Sequence, residues 1–217
     1  VRASVLGEEL DGPDDIAAIN ALVRERSADM LQADHVLSGI DIALWDMLGR
    51  AKEEPVWSLL GWRRAEPKRP YASVLFGDSP QATAEKARAI RTMGFRAAKF
   101  GWGTFGKTTV SNDRNQVLAA REGLDKDGIL LIDAGTVFGD DVEQASRRLG
   151  ILKDTRTVFF EEPFVGGAFK AYAGLASEAA PVKLAGGEGC HDLAMARNMI
   201  DHAALGYILR PQRLNVL

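Results

Sequence analysis

Three acidic residues stand where a chain of alternating strands and helices would gather them. Short apolar runs end in acid at ILLID, VFFEE and KLAGGE, which supplies Asp133, Glu161 and Glu188. These lie 28 and 27 residues apart (133 to 161, 161 to 188), one strand–helix unit each. In parallel α/β architectures the reactive groups collect at the C-terminal ends of the strands, so the three acids would face one mouth. Carboxylates brought that close repel one another unless a cation lies between them. Hard oxygen ligands with room left for water and substrate oxygens suit magnesium. A single acid at a strand end is ordinarily solvated or paired with Lys or Arg. The repeat at one-unit spacing, beside Pro163 and Gly186–Gly187, is what points to a metal. Strand alternation would turn Glu162 away from its neighbour Glu161. Lys183 and His191 flank the third acid, and His191 is a possible substrate contact.

The elements that must position these groups follow from the patterning. Strand-like runs at 71–76, 97–101, 129–135, 158–163, 182–188 and 206–209 alternate with helical segments near 80–93, 113–124, 140–152, 168–178 and 192–203. Continuous apolar strands between helices imply a parallel sheet covered on both faces, either a (β/α)8 barrel or a doubly wound sheet. Residues 14–50 read mainly as helix. Asp14 and Asp15 are placed as caps, and a second helix runs from about Asp34 to Arg50. Pro55, Pro67 and Pro70 mark a linker. The chain thus divides into a helical segment, 1–66, and a strand–helix region, 67–217.

Of the 217 residues 46% are apolar and 26% charged, the mix of a globular protein, and the net charge of −3 with no basic run argues against nucleic acid as a partner. No apolar run approaches the roughly 18 residues of a membrane span. The acidic N-terminus lacks a signal pattern and the single cysteine, Cys190, suits a reducing compartment, so a cytoplasmic location is expected. The first residue is Val1, as in a chain that begins inside a longer protein.

SGIDIALWDMLGRAKEEPVWSLLG (38–61), AAKFGWG, LLIDAG, FFEEPF and LAGGEG together resemble the mandelate racemase / muconate lactonizing branch of the enolase superfamily, over nearly the whole chain up to about Ile208. The resemblance implies an α/β fold: a partial (β/α)8 TIM barrel of about six βα units, preceded by helices belonging to an N-terminal capping domain. It implies Mg2+ held by Asp133, Glu161 and Glu188, with Lys99 as the first lysine of the family's paired-lysine motif and the catalytic base, its pKa lowered by burial or the nearby metal. The expected chemistry is proton abstraction α to a carboxylate, with magnesium holding the charge that develops. An acid-sugar or hydroxy-acid dehydratase is expected ahead of a racemase or a lactonizing enzyme. The partner would be a small-molecule carboxylate, and a full-length form could be a homo-oligomer.

Departures from that pattern give the rival readings. Gly101 stands where the second lysine belongs. No carboxylate follows Asp201, no histidine follows His202, and the final residues LRPQRLNVL do not continue the pattern. On these grounds the chain is expected to be an incomplete catalyst, and the alternative is an inactive fragment that keeps only the metal cradle. A minor alternative is a P-loop nucleotide hydrolase, because GWGTFGKT (101–108) fits the Gly-x4-Gly-Lys-Thr pattern. A cap at Ser111–Asp113 would start the following helix too late for that role, since the phosphate of a P-loop meets the helix N-terminus.

Overall fold

β-Branched and aromatic runs bounded by turns form six strands: β1 Ala72–Leu75, β2 Ala97–Gly101, β3 Ile129–Asp133, β4 Phe159–Glu161, β5 Lys183–Gly186 and β6 Tyr207–Ile208. The computed structural model describes residues 2–27, 34–64, 67–190 and 192–209, excepting the side chains of 34 and 35. All pairings are parallel and the spatial order is the chain order, β1 to β6. This is the α/β, partial (β/α) barrel arrangement expected. Among the described residues β1 and β6 are the edges of the sheet, and Leu75, Tyr207 and Ile208 are exposed there.

The strands are joined by α4 (Pro80–Thr92), α5 (Val110–Leu124), α6 (Val142–Asp154), α7 (Phe169–Ala179) and α8 (Leu193–His202), numbered after α1 (Pro13–Glu25), α2 (Asp34–Lys52) and α3 (Val56–Leu59). Local chemistry sets their starts. Ser79 caps α4 by accepting from the Ala82 amide at 3.2 Å, with Pro80 at the first helical position, and Asp141 caps α6 by accepting from the Gln144 amide at 3.0 Å. The cap of α5 is Thr109, which accepts from the Asn112 amide at 3.1 Å. The expectation of a cap at Ser111–Asp113 is therefore corrected: Thr109 has the extended backbone and free hydroxyl a cap needs, and the helix begins at Val110.

Register places the two faces of the sheet. Lys99 pairs with Leu131, Gly101 with Asp133, Asp133 with Glu161, and Glu161 with Ala185. Strand side chains alternate, so these residues share one face, where Leu131, Phe159 and Ala185 pack together. Phe100, Ile132, Phe160 and Leu184 occupy the other face and are buried. There Phe76, Phe105 and Phe138 extend the layer, with ring centroids of Phe76 and Phe105 at 5.4 Å and of Phe138 and Phe160 at 6.4 Å.

The chain separates into two compact units, one formed mainly by residues 1–68 and the other mainly by 69–210. In the first, α1 and α2 share a core of Ile16, Ile19, Val23, Leu37, Leu44, Trp45 and Leu48. Asn20 donates to Asp41 at 2.6 Å within it. The start of α1 is fixed by Asp15, whose carboxylate accepts from the Gly12 amide at 2.8 Å. The segment read as a linker carries the short helix α3, because Pro55 directs an extended entry and its carbonyl accepts from Ser58 and Leu59. No helix among the described residues is long and apolar enough to cross a membrane.

Candidate functional site

Lys99 rises from the middle of β2 and reaches the ends of β3 and β4. Its ammonium lies 3.0 Å from Asp133 Oδ2, and 2.8 and 2.7 Å from Glu161 Oε1 and Oε2. All three are buried, with Glu161 only 1% exposed. The Tyr71 ring lies 5.8 Å from the same ammonium. Two acids 28 residues apart are thus gathered by register, and the lysine from the neighbouring strand joins them.

Glu188 is placed differently. It lies in the turn beyond β5, after Gly187, and is exposed. Its charge nonetheless reaches the cluster. Burial pushes the Glu161 carboxyl up to about 7, and the charges of Asp133 and Glu188 add to that while Lys99 opposes it. Burial disfavours the Lys99 ammonium as well, but its hydrogen bonds to Glu161 and Asp133 outweigh that and hold its pKa above the ordinary lysine value. The cluster therefore carries more acid than its one ammonium balances. Among the described residues no three His, Cys, Asp or Glu side chains already stand together as a ligand set. The donor set still fits a hard divalent cation: two buried carboxylates side by side, a third at the rim, and an excess of negative charge.

One neighbouring position corrects the alternation argument. Glu162 lies outside β4, with left-handed backbone (φ 40°) that breaks the pleat, so it does not simply point away from Glu161. It is buried, it accepts from the Gly187 amide at 3.4 Å, and burial followed by the charge of Glu188 raises its pKa. Lys183, at the other end of β5, is exposed and distant in register from the acids. His191 and residues 210–217, including most of the divergent tail, lie outside the described residues.

Gly101 has a structural reason. A Cβ there would come within 2.6 Å of Asp133 Cβ and 2.7 Å of its carbonyl oxygen. β2 and β3 approach too closely at the site for any side chain, so a second lysine has no room without moving the strand that carries Asp133.

The P-loop pattern has the wrong surroundings. The amide of Gly106 is taken by the Asp113 carboxylate at 3.0 Å, so a carboxylate stands where a phosphate would be cradled. Phe105 fills the inside of the loop, 1% exposed, against Phe76 and Phe160. Asp113 is in turn bonded by Arg148 Nε and Nη2 at 3.0 and 2.8 Å. This buried pair was not anticipated from the sequence, where Arg148 reads as one of many helix-surface charges.

Comparison with known proteins agrees with the fold. Residues 82–211 match the family model described as enolase C-terminal domain-like, and residues 11–61 match the mandelate racemase / muconate lactonizing enzyme N-terminal domain. The chain belongs to the mandelate racemase / muconate lactonizing branch of the enolase superfamily. It is 36% identical to D-galactarolactone cycloisomerase of Agrobacterium fabrum over 161 residues, which is 71% of this chain and 40% of that protein. It is 32% identical to D-galactonate dehydratase of Klebsiella pneumoniae over 182 residues, 81% of this chain and 46% of that protein. The chain thus spans less than half the length of these two curated relatives. Among solved structures, a protein described as a predicted mandelate racemase from Rhodobacter sphaeroides superposes with TM-score 0.86 at 54% identity, covering 95% of this chain and 53% of that one. A racemase from Streptomyces coelicolor with bound magnesium superposes with TM-score 0.82 at 26% identity, covering 95% and 60%. Relatives in this branch therefore include acid-sugar dehydratases, cycloisomerases and magnesium-bound racemases.

Proposed function

We propose that the chain carries the metal and base half of a magnesium-dependent enzyme that removes the proton α to a carboxylate, in the manner of an acid-sugar or hydroxy-acid dehydratase. The observation that carries this reading is the placement of one lysine amine within 3.0 Å of two buried carboxylates on adjacent strands. Asp133, Glu161 and Glu188 would hold the cation, and residues 1–66 would be the trailing part of the cap. When bound, magnesium supplies positive charge to the substrate carboxylate and so acidifies its α-carbon.

The chain's own groups supply the rest. In the metal-free arrangement Lys99 is kept protonated by Asp133 and Glu161. With Asp133 and Glu161 holding magnesium, the positive charge beside the amine would oppose its protonation. Burial then favours its neutral form, the form that can accept a proton at Nζ. Leu131 and Phe159, buried on the same sheet face, form an apolar floor beneath the acids. Gly101 leaves β2 with a single amine, so Lys99 is the base from this side. The dehydratase reading is supported by the 32% identity to D-galactonate dehydratase of Klebsiella pneumoniae over 81% of this chain.

Calorimetric titration of magnesium into the wild type and Asp133→Asn tests the site. About one magnesium per chain is expected, with affinity reduced at least roughly tenfold in the variant. Equal affinity in the two proteins removes the assignment.

A further inference from the structure

The backbone turns left-handed directly after three of the site strands: at Trp102 after β2 (φ 59°), Glu162 after β4 (φ 40°) and Gly187 after β5 (φ 112°). Gly187 takes this conformation without steric cost, and Glu162 is one of the acids of the mouth. Trp102 is a bulky residue for which the conformation is costly, and metal binding gives it no role.

Its surroundings show what the conformation achieves. The pyrrole edge of the indole lies along the open side of Gly135: Cε2, Nε1 and Cδ1 are 3.0, 3.0 and 3.4 Å from where a Cβ on Gly135 would be. The Gly135 amide donates to Asp133 Oδ1 at 2.9 Å. The ring is therefore seated on the loop that orients a site carboxylate, yet the residue remains 53% exposed. Gly101, the inward position between Lys99 and Trp102, offers no side chain to screen it. The loop that follows is anchored by buried Phe105 and by the Gly106 amide on Asp113, so the ring is carried on a fixed support.

We infer that Trp102 is a substrate-positioning residue whose exposed indole is the wall for the carbon chain of a polyhydroxy carboxylate. The inference rests on the function proposed above and names the part of the substrate that this side of the mouth reads. The C–H face of an extended polyol chain is apolar and lies flat, which an aromatic plane accommodates, while its hydroxyls point to water or to polar groups. A two-carbon hydroxy acid has no chain to reach the ring. Trp102 thus selects long acids over short ones without touching the reacting carbon.

The test is calorimetric titration of the full chain with magnesium and then, at saturating magnesium, with D-gluconate and with glycolate, for wild type, Trp102→Phe and Trp102→Ala. Magnesium affinity should be the same in all three. D-gluconate affinity should fall about tenfold in Trp102→Ala and stay within about threefold of wild type in Trp102→Phe, and glycolate binding should not change. Equal D-gluconate affinity in wild type and Trp102→Ala overturns the inference and leaves the metal reading standing. Equal weakening of both acids, or loss of magnesium affinity in Trp102→Ala, makes the residue structural and overturns it as well. A wild type that binds magnesium but not D-gluconate overturns the inference alone. A wild type that binds no magnesium overturns the proposed function and the inference with it.

Discussion

Two buried ion clusters lie within the strand–helix region, and they are built on opposite plans. Between α5 and α6, Arg148 and Asp113 balance one to one, and both carboxylate oxygens and all three guanidinium nitrogens are hydrogen-bonded. Arg148 bonds Asp113 through Nε and Nη2 and the Gln144 carbonyl through Nη1 at 2.8 Å, while Asp113 also accepts from the Gly106 amide. The Phe138 ring lies 4.9 Å from the guanidinium. At the sheet mouth, one ammonium faces two buried carboxylates and a third acid at the rim, and the Glu161 carboxyl is pushed up to about 7. A cluster that exists to hold a fold completes its hydrogen bonds with protein groups. One that leaves charge uncompensated has kept places for something else. The balanced cluster steadies the loops after β2 and β3, and those loops carry Trp102, Gly135 and the orientation of Asp133.

The contrast can be broken most sharply at the lysine. Lys99→Met keeps the length of the side chain and removes the amine. In a form of the protein that exchanges the α-proton of an acid sugar in deuterated water, exchange should drop by about 10²-fold or more while magnesium still binds. Near wild-type exchange in the variant would take Lys99 out of the mechanism.

The balanced pair should respond in stability instead. Arg148→Met leaves the Asp113 carboxylate buried beside an apolar stem, a change that costs about 3–5 kcal/mol. Urea unfolding would read the loss as a lower midpoint. A variant as stable as wild type would show that the pair is not the anchor of the two loops.

At the mouth, Glu161→Gln should weaken magnesium binding at least roughly tenfold, about 1.4 kcal/mol, and Glu162→Gln by less. Glu162 is buried close to Glu188 but stands outside the strand that aims Glu161 at Lys99. If Glu162→Gln proves the more damaging, the ligand from this strand end is Glu162.

The smallest effect is a pH dependence. Because the folded-state pKa of Glu161 is raised, the protonated carboxyl favours the fold, and that contribution is complete below the unfolded value near 4.5. It is lost as pH rises through about 7, where the buried carboxylate must ionise. Thermal melts in a chelator should therefore show wild type losing stability relative to Glu161→Gln over that range. Added magnesium should reverse the trend. A difference between the two proteins that does not change with pH would mean that Glu161 is not strained by its charge.

Much of this was written in local pattern. The alternation of apolar strands with amphipathic helices gave six parallel βα units, because side-chain period and element length depend only on nearby residues. The placing of Asp133 and Glu161 at strand ends, and of Lys99 two residues before the end of its strand, is local in the same way, whereas the register that gathers them on one face is not. Tertiary structure decided the rest, since it depends on which groups from distant segments share a volume. Gly101 is empty of side chain because Asp133, 32 residues on, presses against it. Glu162 departs from alternation because the chain turns left-handed one residue after β4. GWGTFGKT spells a phosphate loop, but Phe105 fills its inside and Asp113 takes its amide, and neither fact is local to the motif. Trp102, unremarked within that same motif, becomes an exposed wall beside the carboxylates only once β2 and β3 are paired.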